Sequence, residues 1–415
     1  MRRWPVAMSA ASWIAALGLL AASYDVTAIS VVLVHLRQLW HLTSAETANL
    51  TAAPLAGSVV GSLIAGLFAD RFGRRLLLLL DFATFVIAAI LAALAHGYGD
   101  LLLWRAVMGI GIGADVAVVF PYLAESVPAA RRGATMAFVL LVNDLGQVAA
   151  YGTGALLVRT GPDGFRWVLA LGAVLGALVL LARRSLPESG PWKRERLASL
   201  RGIGRRVLRL GAIKEAGSSA VLWFLHQVTG QGLTLFLPLI VSLLWVTGAS
   251  ESGAISIVVK SVSLVAGAAT VLVIDRWGRR PLQLFGFLGR GLALLPLGLV
   301  LALGGRLPVL AAGAMLTAAL AFGAMGPDKT TVITTAERFP TAVRATGEGE
   351  AEMVGRVGGV AGVLLFGFLG AGRGLGLTIL TFSAVALLGG LLTWLTLPET
   401  KPGSTSECEF AQVPV

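Results

Sequence analysis

The residues able to do chemistry in this 415-residue chain are charged and polar side chains set inside long apolar stretches. Asp25, Arg105, Asp115, Asp144, Gln147, His226, Gln227, Lys260, Arg290, the adjacent Asp328 and Lys329, Glu352 and Arg356 each interrupt such a run. Even on the mildest scale, an ion at the centre of a membrane helix costs roughly 2.5–3.5 kcal/mol, so each needs a partner or a watery cavity. Reversible binding of protons and ions is the chemistry such groups can perform. Asp25 lies about midway along its apolar stretch, and Arg105 near one end of another. An acid loses its attraction to an arginine when it takes a proton, which can tie proton binding to helix movement. Asp115 follows Arg105 by nearly three helical turns and projects from roughly the same face, which suits a relay or a substrate contact.

Asp328 and Lys329 are about 100° apart around a helix and cannot face one another, so each must find a partner elsewhere. Lys260, Arg290 and Arg356 are candidates for internal pairing or for holding an anion. Lys329 is the residue expected to remain as a free cation for a substrate's acid group. Asp144, Gln147, His226 and Gln227 add polar groups at midplane depth, with His226 reading equally as packing or as a switch. Glu352 and Arg356 are four residues apart and are expected to satisfy each other. Other chemistries lack their residues. There is no GxxxxGKS phosphate loop, HExxH, CxxC or nucleophile elbow, and the single cysteine, Cys408, lies in the polar tail, so no cofactor or metal is expected. GIGIG lies inside an apolar run, where its glycines let helices approach closely instead of cradling a nucleotide.

The elements that must position these groups follow from composition. The chain is 56% hydrophobic but only 13% charged, with a mean hydropathy of +0.83, so it is a polytopic membrane protein rather than a soluble enzyme. Its apolar stretches are too long and too uniformly hydrophobic for barrel strands. At roughly 20 residues per crossing, they give twelve helical spans, near 10–36, 48–69, 76–96, 101–124, 134–157, 167–182, 216–246, 253–274, 282–304, 308–336, 349–372 and 375–397. The net charge of +11 reflects topology and not nucleic-acid binding. Basic residues gather on alternate loops, including Arg71, Arg74, Arg75, Arg131, Arg132, Arg183, Arg184, Arg276, Arg279 and Arg280, and by the positive-inside rule this side, with both termini, is cytoplasmic. The first run reads as a retained helix in a plasma (inner) membrane protein.

The charged, Pro- and Gly-containing segment after span 6 divides the chain. Residues 1–182 form a first six-helix half, 183–215 a linker, 216–400 a second half and 401–415 a tail. The linker reads equally as solvated or as an interfacial segment on anionic lipid. Repetition supports the cut. DRFGRR at Asp70 returns as DRWGRR at Asp275, ESVPAARRG at Glu125 as ERFPTAVRATG at Glu337, and LPESG at Leu186 as LPETKPG at Leu397. The halves are therefore parallel repeats about an axis along the membrane normal. Within the repeats, an acid beside arginines at helix ends can latch neighbouring helices, while Gly73 and Gly278 permit the tight turn.

GLFADRFGRR resembles the GxxxDRxGRR loop of the major facilitator superfamily, and the likeness extends over nearly the whole chain. WRAVMGIGIG, LPESG and LPETKPG resemble elements of its sugar porter and metabolite/H+ symporter branches. GIGIGAD and the stretch from Gly326 to Gly349 are similar to phosphate and organic-ion symporters. The resemblance implies the twelve-helix fold, alternating access without a cofactor, and a gate in which Asp70 and Arg74 work with their counterparts Asp275 and Arg279. Glu125, Arg131, Arg132, Glu337 and Arg344 join that network. It further implies proton coupling through Asp25 and Arg105, with Asp115 beside them. Departures narrow the solute. HQVTGQG differs from the sugar porters' QQxTGxN at His226 and Gly232, and Leu140 replaces their helix 5 glutamine, which argues against a hexose. The helix 7 acid of phosphate symporters is missing, and Arg356 takes the place of their helix 11 lysine. The expectation is a monomeric proton symporter of a small anionic or zwitterionic organic solute. A proton-driven exporter is the alternative, and a transport-inactive sensor a more distant one.

Overall fold

The structure is a computed structural model, which describes residues 9–198, 210–245, 249–339, 344–369 and 373–400. Arg2, Arg3, much of the basic linker and the tail with Lys401 and Cys408 lie outside the described residues.

The first half contains α1 (Ala10–Leu39), α2 (Ser44–Phe72), α3 (Arg74–Ala93), α4 (Tyr98–Ser126), α5 (Ala129–Leu157) and α6 (Gly164–Arg183). A short 3-10 turn, Val158–Thr160, follows α5, and α7 (Gly190–Ala198) lies in the linker. The second half contains α8 (Leu210–Leu235), α9 (Leu237–Trp245), α10 (Ala249–Trp277), α11 (Arg279–Ala302), α12 (Val309–Met325), α13 (Pro327–Arg338), α14 (Arg344–Leu369) and α15 (Arg373–Thr396). Two expected spans are each two helices. The seventh bends by 56° between α8 and α9, where Pro238 in the new first turn has no N–H to continue the ladder. The tenth breaks at Gly326 with Pro327 opening α13, which places Asp328 in a helix's first turn. Among the described residues ten helices are long and apolar enough to cross a membrane, eleven with the bent pair α8–α9 as one span, against the twelve expected.

Burial divides the bundle into layers. The most hydrophobic window of α1 is 83% buried and that of α6 only 39%, so α1 is an inner helix and α6 faces the apolar surroundings. Leu178, Leu181, Val265, Leu292 and Leu310 are exposed accordingly, as lipid-facing side chains are. The GIGIG glycines act as expected. A Cβ on Gly109 would overlap the Pro54 carbonyl of α2, and one on Gly113 the Ser58 carbonyl. Their bare backbone is what lets α4 lie against α2. The two halves meet most extensively along α2 with α14 and α5 with α10.

Candidate functional site

At the end of the bundle that carries the repeated loops, the two halves build one arrangement twice. Arg74 is fully buried, 2.8 Å from Asp70 and 3.0 Å from Glu125. Arg279 is equally buried, 3.0 Å from Asp275 and 2.7 Å from Glu337. Gly73 and Gly278 take φ of 110° and 97°, a left-handed backbone that glycine alone adopts without strain, and so turn one helix into the next. Glu188 accepts the Arg74 backbone N–H at 2.9 Å, and Glu399 accepts that of Arg279 at 2.9 Å. Both glutamates, overlooked in the sequence, belong to the repeated LPES and LPET elements. Arg75 and Arg280 donate to the main-chain carbonyls of Arg184 and Trp394. Arg71 and Arg276 are exposed.

The two loops do not bond each other among the described residues, contrary to a simple loop-to-loop latch. Each aspartate crosses to the opposite half. Asp70 accepts from the backbone N–H and hydroxyl of Thr346, at 2.8 and 2.7 Å, in the first turn of α14. Asp275 accepts from the backbone N–H of Ala134 in α5 at 2.9 Å. Arg344 reaches Glu125 at 3.6 Å, again across the halves, and Arg132 acts on Glu337 through space. No side-chain partner is described for Arg131. At the opposite end, Arg159 donates to Ser250 at 2.7 Å, and Ser250 donates to the Ala155 carbonyl at 3.1 Å. The halves are thus joined above and below the middle of the bundle.

Between these junctions lies a cavity of about 140 Å³, walled by both halves. Asn143, Asp144 and Gln147 of α5 line one side. His226, Gln227 and Gln231 of α8, Lys260 of α10, Asp328 of α13, and Glu352 and Arg356 of α14 line the other. Asp328 is 2.5 Å from Arg290, which also donates to Thr229 at 3.1 Å, and the His226 ring is 3.5 Å from the same carboxylate. Glu352 holds Arg356 at 2.7 Å, as the spacing required. Lys329 differs from expectation. Its ammonium is fully buried behind the cavity wall, 2.9 Å from Asp144, while Lys260 lies in the wall at 3.9 Å from that same acid. Three carboxylates therefore meet four cations: Asp144, Asp328 and Glu352 against Lys260, Lys329, Arg290 and Arg356. Leu140 lines the cavity where the sugar porters' pattern has a glutamine.

The first half holds two further groups of buried charge. Arg105 does not reach the Asp25 carboxylate. It donates to the main-chain carbonyls of Asp25 and Val26 at 2.8 and 3.2 Å, so contact between α4 and α1 runs through backbone. The Asp25 side chain points instead toward Gly172 of α6, where a Cβ would stand 2.6 Å from its Oδ1. Both carboxylate oxygens are buried without a hydrogen-bond partner. Asp115 pairs not with α1 but with Arg183 at 2.5 Å, and Arg183 also holds Asp81 at 3.2 Å. The sequence placed Arg183 among the solvated basic residues. In the fold it is fully buried, stacked over the Phe82 ring at 4.0 Å, with its guanidinium between Asp81 of α3 and Asp115 of α4. Arg105 and Asp115 thus serve different neighbours despite sharing a helix.

Comparison with known proteins follows the same architecture. A family model described as "Sugar (and other) transporter" matches residues 11–202 and again 203–410, one match per repeat. A probable 4-methylmuconolactone transporter of Cupriavidus pinatubonensis is 30% identical over 91% of this chain and 88% of its own length. A D-xylose-proton symporter-like protein of Arabidopsis thaliana is 27% identical, over 95% and 88%. Among solved structures, the proton:xylose symporter XylE bound to 6-bromo-6-deoxy-D-glucose superposes with a TM-score of 0.85 at 22% identity, covering 96% of this chain and 98% of that one.

Proposed function

The chain belongs to the sugar (and other) transporter family of the major facilitator superfamily, and on that premise we propose that it carries a small anionic or zwitterionic organic solute with protons into the cell. It is a multi-pass membrane transporter and not an enzyme. Proton coupling is supported by relatives named as proton symporters and by the buried carboxyl group of Asp25. The relative named for 4-methylmuconolactone supports a solute other than a sugar.

The observation that carries the solute class is the sharing of Asp144 between Lys329 and Lys260. One carboxylate cannot neutralise two ammonium groups. Of the two, Lys260, in the wall and at the longer distance, is the group free to meet a solute. A buried cation without a counter-ion is costly, and a carboxylate or phosphate on the solute supplies one. Gln147, Gln227 and Gln231 add neutral donors and acceptors for the remainder of a polar molecule.

Alternating access follows from the junctions on either side of the cavity. In our reading the basic end faces the cytoplasm, by the positive-inside rule, and Asp70 and Asp275 are its gate. Releasing Thr346 and Ala134 lets the halves part on that side, while the Arg159–Ser250 junction holds the other. Asp25 takes the proton, although its link to Arg105 runs through the α1 backbone. Uptake by proteoliposomes of labelled organic acids, amino acids, phosphate and sugars, with and without an imposed pH gradient, tests this. Gradient-driven accumulation of an acid is the expected result. Accumulation of a neutral sugar alone would overturn the solute class.

A further inference from the structure

Glu352 is fully buried in the cavity wall. Its Oε1 receives both Nε and Nη2 of Arg356, at 2.8 and 2.7 Å, while its Oε2 is buried with no partner. One turn nearer the basic end, on the same face of α14, Glu348 is fully buried, with neither carboxylate oxygen bonded. Half a turn further, Thr346 holds the Asp70 latch. A cavity acid, a second unpartnered acid and the gate thus follow one another along a single helix.

The neighbouring helices offer these carboxyl groups little relief. Arg356 and, across α4, Asp115 act on Glu352, while Glu352 and Arg344 act on Glu348. Asp115 is engaged with Arg183, Asp70 of α2 with Arg74 and Thr346, and Asp328 of α13 with Arg290 and His226 of α8. Lys260 and Arg356 line the same cavity, so an acidic solute drawn in by Lys260 also meets Arg356 and sets a second carboxylate against its guanidinium. Like charges sharing one site resist joint ionisation, so one of the two acids takes up a proton.

Resting on the anionic-solute reading above, we propose that Glu352 is a second proton-binding group, one that stands in for the solute on Arg356 and releases it on protonation. Glu348 is the next carboxyl group for that proton on its way to the basic end. Solute and proton then bind together because the solute's acid group and Glu352 compete for one guanidinium, and a proton on Glu352 yields that guanidinium to the solute. Binding of each favours the other by the same factor.

The test measures binding and proton uptake by purified transporter in weakly buffered detergent. The probe is the acid most strongly accumulated in the proteoliposome panel, compared with its uncharged amide. Wild type should bind the acid more tightly as pH falls and take up protons on binding. In E352Q, which fixes the neutral form, the acid should bind at high pH at least as tightly as to wild type at low pH. The pH dependence should flatten, and proton uptake should fall by about one per solute. E348Q should keep the affinity and proton count but slow gradient-driven uptake. The amide should not distinguish E352Q from wild type. If the acid binds E352Q with wild-type pH dependence and proton count, Glu352 is a structural clamp on Arg356 and the inference falls, while the anionic-solute reading stands. Failure of every acid to bind wild type would overturn that reading itself, and the inference with it.

Discussion

Asp144 of α5 and Lys329 of α13 meet at 2.9 Å from opposite halves of the molecule, both buried. The bond ties the moving parts together at the level of the cavity, between the junctions at the two ends. It also decides which lysine is structural, since Asp144 has Lys260 at 3.9 Å as a second and weaker claimant.

Lys260→Gln should therefore weaken binding of the acidic solute by about 1.5–3 kcal/mol, the usual worth of a hydrogen bond to a charged group, and leave thermal stability near wild type. Lys329→Gln removes the same unit of charge but also the link between halves, and should lower the unfolding temperature in detergent as well. Equal stability loss in the two variants would show that Asp144 does not discriminate between the lysines.

Asp25→Asn should abolish accumulation driven by a pH gradient while exchange of labelled for unlabelled solute persists. Exchange needs binding and rocking but no net proton release. The Asp25 carboxyl group is buried without a hydrogen-bond partner, so the amide substitutes with little structural cost. Gradient-driven uptake at the wild-type level would remove Asp25 from the coupling role.

At the gate, Asp70→Asn and Asp275→Asn each weaken one crossing bond, to Thr346 or Ala134, without touching the cavity. Each should reduce turnover with little change in equilibrium binding, and the double variant should be slower than either. The measurement is solute affinity in detergent beside uptake rate in proteoliposomes. A variant that loses affinity at normal turnover would contradict the assignment.

Arg183→Gln should be poorly tolerated, because Asp81 and Asp115 then lose their shared cation in the interior. Stripping one partner from a buried ionic group typically costs about 3–5 kcal/mol. Adding Asp81→Asn and Asp115→Asn should recover part of the lost melting temperature. A single variant as stable as wild type would show that Asp81 and Asp115 do not need a shared cation in the folded protein.

Much of this was legible in the sequence, and what was not has a common cause. Apolar runs located the spans, and the recurrence of DRxGRR with its companion elements showed the repeat. The Glu352–Arg356 pair was legible because four residues on one helix fix a geometry. The Asp144–Lys329 pair was not, since its members are 185 residues apart and their meeting depends on how α5 and α13 are rotated within the bundle. The rotations of α1 and α4 likewise send Asp25 toward α6 and leave Arg105 on α1's backbone. Arg183 was misread because it ends an apolar run beside Arg184, as solvated flanking arginines do, and its acidic partners on α3 and α4 are met only in the tertiary fold. Breaks at Phe236 and Gly326 were signalled by Pro238 and Pro327, whose weight the continuous hydropathy concealed.

The crossing latches have the symmetry of a dimer contained in one chain. Ala134 and Thr346, which receive Asp275 and Asp70, stand 212 residues apart, the same interval as Glu125 and Glu337. The contact is isologous: each half offers the same acid and the same amide to the other, as two copies of a six-helix unit would across a twofold axis. That symmetry stops at the solute. The positions that follow at the same interval in the cavity are Asp144 and Arg356, of opposite charge. Duplication thus left the hinge even-handed and the binding site polar, so the two halves can rock as equals about a molecule that can lie between them in only one sense.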